Sequence, residues 1–269
     1  MIQVQPNSLS ALAGWFPART AGPATLAEHV LGTGIGSWWA DSALRPQVVA
    51  VSCANHVLLR GDPYALAPGS LAPFAGSLVE APSRFLSVLG SSFDKIVPGN
   101  RMVYVHCAPA SPPAPRTWHG VTVRPLVRED ARALAALGPA AAWIHASWDG
   151  PAGLAASGYG WAAFRKGRIL AVACTYFRGS LYEDIACATL PDRRREYLAH
   201  ACVTGLCEEI AARGRIASLS CSRGDRRTRL LAWTAGFRLQ REYAHCTTGT
   251  PTVSRLPNPV HSPRAEDRI

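Results

Sequence analysis

Two acidic residues, Glu183 and Asp184, stand side by side ahead of the apolar run 185–190. A carboxylate beside a bound amine can accept its proton, so either residue has the chemistry of a general base. The run reads as a β-strand, in which successive side chains point to opposite faces of the sheet. Glu183 then shares a face with Cys187, and Asp184 faces the other way. Only one of the two acids can line a given cleft, unless both mark the solvated start of the strand.

Three consecutive arginines, Arg193, Arg194 and Arg195, follow that strand and precede a long helical pattern. The stretch 192–241 holds 11 arginines against five acidic residues. Guanidinium groups form charge-assisted hydrogen bonds with phosphates, and the first turn of a helix favours negative charge. The clustering predicts a local phosphate site rather than a general nucleic-acid surface. The alternative is a solvated helix start in a chain whose basic residues are almost all arginine.

Eight cysteines are scattered along the chain without a C-x-x-C pair, so we predict neither a metal site nor a disulfide framework. A reduced cysteine inside an apolar run behaves as a small hydrophobic residue, and Cys187 is expected to be one of them. Isolated histidines such as His200 and His245 have the chemistry of a base but are more often structural.

The chain has 269 residues, of which 48% are hydrophobic and 17% charged, with a net charge of +10. No apolar stretch is long enough to span a bilayer, and the N-terminus shows no export signal, so we expect a soluble cytoplasmic protein that binds neither membrane nor nucleic acid. Its oligomeric state is left open.

A proline-rich segment, Ala108 to Arg116, divides the chain into two α/β halves. We therefore predict a degenerate N-terminal domain over 1–107, a linker over 108–118, a second domain over 119–248 and a disordered tail over 249–269. The first half contains strands over 48–53, 57–60 and 101–107 and a helix over 83–89, but no phosphate loop, metal spacing or nucleophile motif. It is expected to pack against the second half or to cover its substrate.

The second half has a clearer pattern. Strands are predicted over 121–126, 160–164, 168–177, 185–190, 216–221 and 238–246, with a tight turn at Lys166-Gly167. A long helix spans about 195–213, where apolar residues recur every four positions, and Gly214 ends it. A second helix runs through Trp233 and stops at Gly236.

This order of elements, together with four local motifs, resembles the GNAT superfamily of N-acyltransferases across nearly all of 121–248. The motifs are V-T-V-R-P-L-V-R-E-D at 121–130, G-R-I-L-A-V-A at 167–173, A-T-L-P-D-R-R-R-E-Y-L-A at 188–199 and D-R-R-T-R-L-L-A-W-T-A-G-F at 225–237. The whole chain resembles a two-part subgroup with a degenerate first half. The implied fold is α/β, with a mixed, splayed sheet flanked by helices.

The resemblance implies a binding site for acetyl-CoA or another acyl-CoA, and no metal. The pantetheine arm would lie along Ala188, Thr189 and Leu190, like an added strand. The pyrophosphate would meet the start of the long helix, at Arg194, Arg195, Glu196, Tyr197, Leu198 and Ala199.

The chain departs from the family pattern at two places. Tyr197 replaces a glycine that lets the backbone approach the phosphates, and Glu196 adds a negative charge beside it. In the later helix Asp225 stands where many members have Asn. Ala232 occupies the position of a tyrosine that protonates the leaving thiolate.

Glu183 lies at the offset before Arg194 at which some family members place a catalytic glutamate, so the resemblance implies that it is the general base. His145, Trp148 and Asp149 fall where the family binds its acceptor, although surface capping explains them equally well.

The resemblance implies an acyl-CoA-dependent N-acetyltransferase that acts on the amine of a small molecule, and we place it in specialised metabolism as a hypothesis. The alternative is a GNAT-fold enzyme that uses the same cleft for a CoA-independent cyclisation, decarboxylation or hydrolysis. A non-catalytic regulator is a third possibility, but no nucleic-acid-reading motif supports it.

Overall fold

A computed structural model of the chain describes residues 1–4, 12–107, 120–190 and 197–252. Within these residues the strands are β1 Ile2–Val4, β2 Ser37–Ala40, β3 Val48–Cys53, β4 His56–Gly61, β5 Leu78–Glu80, β6 Ile96–His106, β7 Thr122–Pro125, β8 Gly160–Arg165, β9 Arg168–Arg178, β10 Tyr182–Thr189, β11 Ile216–Ser222 and β12 Phe237–Thr248. The α-helices are α1 Leu26–Thr33, α2 Leu86–Ser92, α3 Ala131–Ala135, α4 Pro151–Ser157, α5 Leu198–Ala212 and α6 Arg226–Thr234. Short 3-10 segments include Gly22–Thr25 and Ala142–Trp148.

Local sequence explains much of the second half. Lys166 and Gly167 both have positive φ, 50° and 74°, as a two-residue turn between antiparallel strands requires, so β8 and β9 form the predicted hairpin. The apolar row of α5 is buried as predicted, and Gly214 follows the helix in the left-handed conformation with a φ of 71°. The helix begins at Leu198, three residues later than expected.

All the strands form one mixed sheet in the order β1-β2-β3-β4-β5-β12-β6-β11-β10-β9-β8-β7. β6 belongs to the first half of the sequence but lies between β12 and β11, antiparallel to both. The strand expected over 101–107 starts earlier, at Ile96. Because it pairs with β11 and β12, it belongs to the sheet of the second half. The two halves share one continuous sheet, although the proline-rich linker itself lies outside the described residues.

The sheet curls so strongly that distant strands meet. His56 on β4 and Phe177 on β9 are separated by five strands in the sheet order, yet their ring centroids are 5.3 Å apart. Residues from both halves, such as Val51 and Val172, share one hydrophobic core inside this curve. Helices α5 and α6 cover the opposite face through a second core. The concave face is therefore enclosed between the two halves.

The chain continues in ordered contacts beyond residue 248, which corrects the start of the predicted tail. The backbone N–H of Gly249 donates to the carbonyl oxygen of Lys95 at 2.8 Å, and both the backbone and the hydroxyl of Thr250 donate to Asp94. Pro251 forms a β-bridge with Phe93. Residues 253–269 lie outside the described part of the chain.

Among the described residues, no helix is long and apolar enough to cross a membrane. All eight cysteines are unpaired, and no described cluster of His, Cys, Asp and Glu side chains is arranged to hold a metal ion.

Candidate functional site

The parallel strands β10 and β11 part halfway along their length. Their pairing runs from Tyr182 opposite Ile216 to Ile185 opposite Leu219 and stops there. Beyond that point β10 stays paired with β9 through Thr189, whereas β11 stays paired with β6 through Ser222. A V-shaped opening results, in which the edge of 186–189 that faces β11 has no strand partner within the described residues. This stretch contains Ala188 and Thr189, and Leu190 directly follows it.

The opening has its mouth at the start of two helices. α5 follows β10 and α6 follows β11, and because the two strands are parallel, both helix N-termini lie at the same edge of the sheet. Leu198 and Ala199 form the first turn of α5, where backbone N–H groups have no acceptor within the helix. The structure places Leu198 and Ala199 at the start of this helix, and their contact with a pyrophosphate stays a prediction. Arg194, Arg195 and Glu196 lie outside the described residues.

Tyr197 immediately precedes α5 and has a φ of 56°. This left-handed conformation is costly for residues with a Cβ and free for glycine. The side chain is 50% exposed. The fold thus retains, at Tyr197, a backbone shape suited to the glycine that the resemblance implied.

Helix α6 has an alanine, Ala232, at the position where the resemblance implies a tyrosine. Asp225 caps the helix by accepting from the backbone N–H of Thr228 at 3.1 Å. Ala232 is fully buried in the core beneath α6. Trp233 is 61% exposed and stacks with the Arg238 guanidinium, whose carbon lies 4.2 Å from the ring centroid.

Glu183 is not available to a substrate, which corrects the prediction that it faces the cleft as the general base. Its carboxylate is fully buried and accepts from Arg213 at 3.1 and 2.9 Å, from Arg215 at 3.1 Å and from the Thr175 hydroxyl. It also lies in the part of β10 that is paired with β11, opposite Ala217. Two guanidinium groups and a hydroxyl occupy its oxygens, so its role is structural.

Asp184 has the opposite environment. Its carboxylate lies on the concave face, one residue before the last pair of β10 and β11, and accepts from the hydroxyls of Ser218 at 2.9 Å and Ser220 at 3.2 Å. It is 5% exposed. Burial raises the pKa of Asp184 to about 7, against the opposing effects of the serine hydrogen bonds and of Arg101 and Arg241. A carboxyl that titrates near neutral pH is suited to exchange protons with a substrate.

The first half of the chain closes over Asp184 through Gly22. The backbone N–H of Gly22 donates to the Ser218 hydroxyl oxygen at 3.0 Å. Its φ is 81°, and a Cβ there would lie 2.8 Å from Val103 and 3.1 Å from the Ser220 hydroxyl. Only glycine allows this approach. The acid and its two serines are therefore roofed by the N-terminal half.

A polar cluster extends from Asp184 along the concave face. Arg101 donates to the backbone oxygen of Ser220 at 3.0 Å, and Arg241 donates to that of Ala21 at 3.0 Å. Beyond them, Tyr243 and His245 on β12 and His56 on β4 line a narrow cavity with Arg101. Burial lowers the pKa of His56 to about 3, with further contributions from Arg101 and His245, so its ring is neutral. Burial also raises the pKa of Tyr243.

The residues predicted to bind the acceptor are mostly structural. Trp148 is buried, donates its indole N–H to the Thr175 carbonyl at 2.7 Å and stacks on Tyr159. Asp149 is exposed and ends the Ala142–Trp148 segment with a φ of 56°, as the capping alternative anticipated. His145 is partly buried, and burial lowers its pKa. An open cleft of about 400 Å³ beside Leu190 is formed by α3 and the β8–β9 hairpin, and none of these three residues lines it.

Sequence reasoning missed the concave cluster. Arg101, Tyr243 and His56 are far apart in the chain and carry no shared motif. The sequence offered one signal, the alternation of side chains along the strand, which puts Asp184 and Glu183 on opposite faces of the sheet. That alternation does not show which face is enclosed.

Comparison with known proteins agrees with this geometry. The profile of the GNAT acetyltransferase family matches residues 117–246. A relative from Streptomyces virginiae, named as an uncharacterized N-acetyltransferase in the mutA 5' region, is 61% identical over 214 residues, which cover 79% of this chain and 90% of the relative.

Solved structures show the same fold across both halves. A GCN5-related N-acetyltransferase-like protein from Streptococcus suis superposes with a TM-score of 0.70 at 15% identity, covering 90% of this chain and 98% of that one. A tandem GNAT protein from the clavulanic acid biosynthesis pathway has a TM-score of 0.58 at 12% identity, covering 93% and 98% of the two chains. The splayed sheet, the family profile and the close relative together show that the chain belongs to the GNAT acetyltransferase family.

Proposed function

We propose that the protein transfers an acyl group from acyl-CoA to the amine of a small molecule, in the reaction expected from its sequence. The observation that carries this proposal is the parting of β10 and β11, with the N-terminus of α5 at the mouth of the opening. The opening offers an unpaired strand edge to an extended amide-bearing arm and a helix terminus to a phosphate.

The donor would bind along β10. The amides of pantetheine hydrogen-bond to the backbone of 186–189, and Leu190 contacts the arm where it leaves the edge. The pyrophosphate lies at the N–H groups of Leu198 and Ala199, with Arg194 and Arg195 as further ligands in this proposal. The left-handed backbone at Tyr197 fits this arrangement, although its ring narrows the approach.

Asp184 takes the role first assigned to Glu183. The amine nitrogen attacks the thioester carbonyl, its proton passes to the Asp184 carboxylate, and the carbon–sulfur bond breaks to release the CoA thiolate, which takes a proton from solvent. The amine reaches Asp184 through the opening between β10 and β11, because the acid lies beside the point where the strands part and the N-terminal half closes over its concave side. Backbone N–H groups of the unpaired stretch 186–189 stabilise the developing oxyanion.

Calorimetric titration with acetyl-CoA and CoA, followed by thiol release with a panel of amines, tests this proposal. We expect saturable binding of both and turnover that needs an amine. The matched variant is Asp184→Asn, which keeps donor binding and loses turnover. Absence of CoA binding together with absence of thiol release would overturn the proposal and favour the CoA-independent reaction in the same cleft.

A further inference from the structure

Both serine hydroxyls that bind Asp184 donate to the same oxygen of its carboxylate. Ser218 donates to Oδ1 at 2.9 Å, and Ser220 donates to Oδ1 at 3.2 Å. Among the described residues, no donor is bonded to Oδ2. One oxygen of the carboxylate is therefore fixed by the protein, and the lone pairs of the other are available to a further donor.

The Ser220 hydroxyl is held in place by an arginine from the first half of the chain. Arg101, on β6, donates through Nη2 to the backbone carbonyl oxygen of Ser220 at 3.0 Å. The two residues lie on neighbouring antiparallel strands, because β6 pairs with β11 along this stretch. Arg101 therefore fixes the backbone from which the Ser220 side chain reaches Asp184.

The Ser218 hydroxyl is oriented by a second arginine, which acts through the roof over the acid. Ser218 accepts from the backbone N–H of Gly22 at 3.0 Å, and because a hydroxyl has a single proton, that proton is left to point at Asp184. Arg241, on β12, donates to the carbonyl oxygen of Ala21, the residue before Gly22, at 3.0 Å. Arg241 thus holds the backbone that sets the direction of the Ser218 hydroxyl.

The two arginines also supply the positive charge that acts on Asp184. The charged and titratable groups that face this carboxyl are Arg101 from β6 and Arg241 and Tyr243 from β12. Burial raises the pKa of Tyr243, so its phenol is neutral. The segment Gly22–Thr25, which packs against β10 and β11, has no ionisable side chain, and the acid next to Asp184 on β10 faces the other side of the sheet.

We propose that Arg101 and Arg241 are positioning residues for acyl transfer, which hold two donors on Oδ1 of Asp184 so that Oδ2 stays ionised and takes the amine proton. This inference rests on the proposed function, in which the amine arrives through the opening between β10 and β11. The proton moves from the amine nitrogen to Oδ2 as the nitrogen–carbon bond forms. The carboxyl returns it to solvent after the CoA thiolate has left.

The ionisation of Asp184 can be measured without turnover. The carboxyl carbons of the full-length protein, labelled at aspartate with carbon-13, are followed by NMR against pH, and the signal that is missing in Asp184→Asn identifies the residue. We expect a pKa of about 7 in the wild type. Arg101→Gln and Arg241→Gln should each raise this pKa by about 1, because each removes a positive charge and the support of one donor.

Matched variants show whether the effect is specific. Arg101→Lys keeps the charge and should restore most of the wild-type pKa. Arg238→Gln removes an exposed arginine of β12 that stacks on Trp233, and it should leave the pKa of Asp184 unchanged. Arg241→Gln keeps the test valid if Arg101→Gln does not fold. An unchanged pKa in the glutamine variants at Arg101 and Arg241, or an equal rise in Arg238→Gln, would overturn the positioning role.

A double-mutant cycle separates positioning from charge alone. If Arg101 acts through the Ser220 hydroxyl, Arg101→Gln should raise the pKa of Asp184 less in a Ser220→Ala protein than in the wild type, because no hydroxyl is left there to misplace. Equal shifts in the two backgrounds would mean that Arg101 acts only by its charge, which contradicts the proposal.

The pH profile of turnover supplies a readout that a purely structural role would not give. At pH 6 the kcat/KM of Arg101→Gln should lie about tenfold below that of the wild type, and at pH 9 the two should agree, because Asp184 is then ionised in both proteins. A deficit of the same size at both pH values would contradict the inference.

The two measurements also separate this inference from the proposed function. An unchanged pKa of Asp184 in the arginine variants, in a protein that transfers acyl groups, would overturn the positioning role alone. Raised pKa values in the variants, with no acyl transfer to any amine by the wild type, would overturn the proposed function and, with it, the assignment of Oδ2 to an amine proton.

Discussion

Glu183 and Asp184 are neighbours on β10, yet their carboxylates occupy opposite faces of the sheet and opposite environments. Glu183 lies between two guanidinium groups beneath the end of α5, whereas Asp184 meets two serine hydroxyls on the concave face. The first arrangement pairs the carboxylate with two arginines. The second leaves the carboxyl able to gain or lose a proton near neutral pH.

The two acids should therefore respond differently to removal of their charge. Asp184→Asn is expected to lower kcat/KM by about 10²- to 10⁴-fold while the protein stays folded, because the amide cannot accept the amine proton. The measurement is steady-state acyl transfer with thermal unfolding in parallel.

Glu183→Gln serves as the counterpart. We expect it to lower the free energy of unfolding by about 1–3 kcal/mol, because Arg213 and Arg215 lose their counter-charge, with the loss limited by their partial exposure. A large loss of turnover in a stable Glu183→Gln protein, with normal turnover in Asp184→Asn, would restore the assignment made from sequence.

The pH dependence of turnover should report Asp184. Its carboxyl must be ionised to accept a proton, and its pKa is raised to about 7, so kcat/KM should rise about tenfold per pH unit below 7 and level off above it. The residual activity of Asp184→Asn should lack this step. An unchanged pH profile in the variant would assign the titrating group elsewhere.

Acid should destabilise the protein through two buried histidines. His29 accepts from the backbone N–H of Arg178 and contacts the Ser147 carbonyl, and burial lowers its pKa to about 4, as it lowers that of His56 to about 3. Both folded pKa values lie below the ordinary 6.5, so the unfolded chain binds more protons as pH falls. Stability from these residues is present above about pH 6.5 and is lost below it.

Asp184 changes the free energy of unfolding with pH in the opposite direction to the two histidines, so its variant serves as a control for them. Its folded pKa is raised, so its contribution is present below the unfolded value near 4 and is lost as pH rises through 7. Urea unfolding at pH 7.5 and pH 5 should show a larger acid loss in Asp184→Asn and a smaller one in His29→Gln than in the wild type. The reverse order would contradict the two assignments.

Tyr197→Gly should stabilise the free protein by up to about 1 kcal/mol, because the left-handed backbone costs roughly 1–2 kcal/mol with a Cβ and glycine recovers part of that. If the helix began near Arg195, as the sequence predicted, Tyr197 would lie inside it and the change to glycine would instead lower the stability of the protein. The same change should tighten CoA binding by unblocking the α5 terminus. Tyr197→Ala removes the ring but keeps the strain, so stabilisation by Ala equal to that by Gly would show that the backbone is not the cause.

Much of the second half could be predicted from local pattern alone. The periodicity of α5, the positive φ values at Lys166-Gly167 and the end of the long helix at Gly214 depend on residues close together in sequence. The unpaired edge at Ala188 and Thr189 also followed from the family resemblance. These features could be predicted because they depend on steric limits between neighbouring residues and on the period of the side chains.

Tertiary structure decided which acid is neutralised by arginines and which lies on the concave face. Glu183 is neutralised by arginines that lie 30 and 32 residues away in sequence, and the roof over Asp184 comes from Gly22, 196 residues before Ser218. β6 reaches the second half only because strands distant in sequence pair within one sheet, and that pairing brings Arg101 beside Ser220. A two-residue period divides side chains between two faces, but only the folding of the curved sheet over itself determines which face is enclosed between the two halves of the chain.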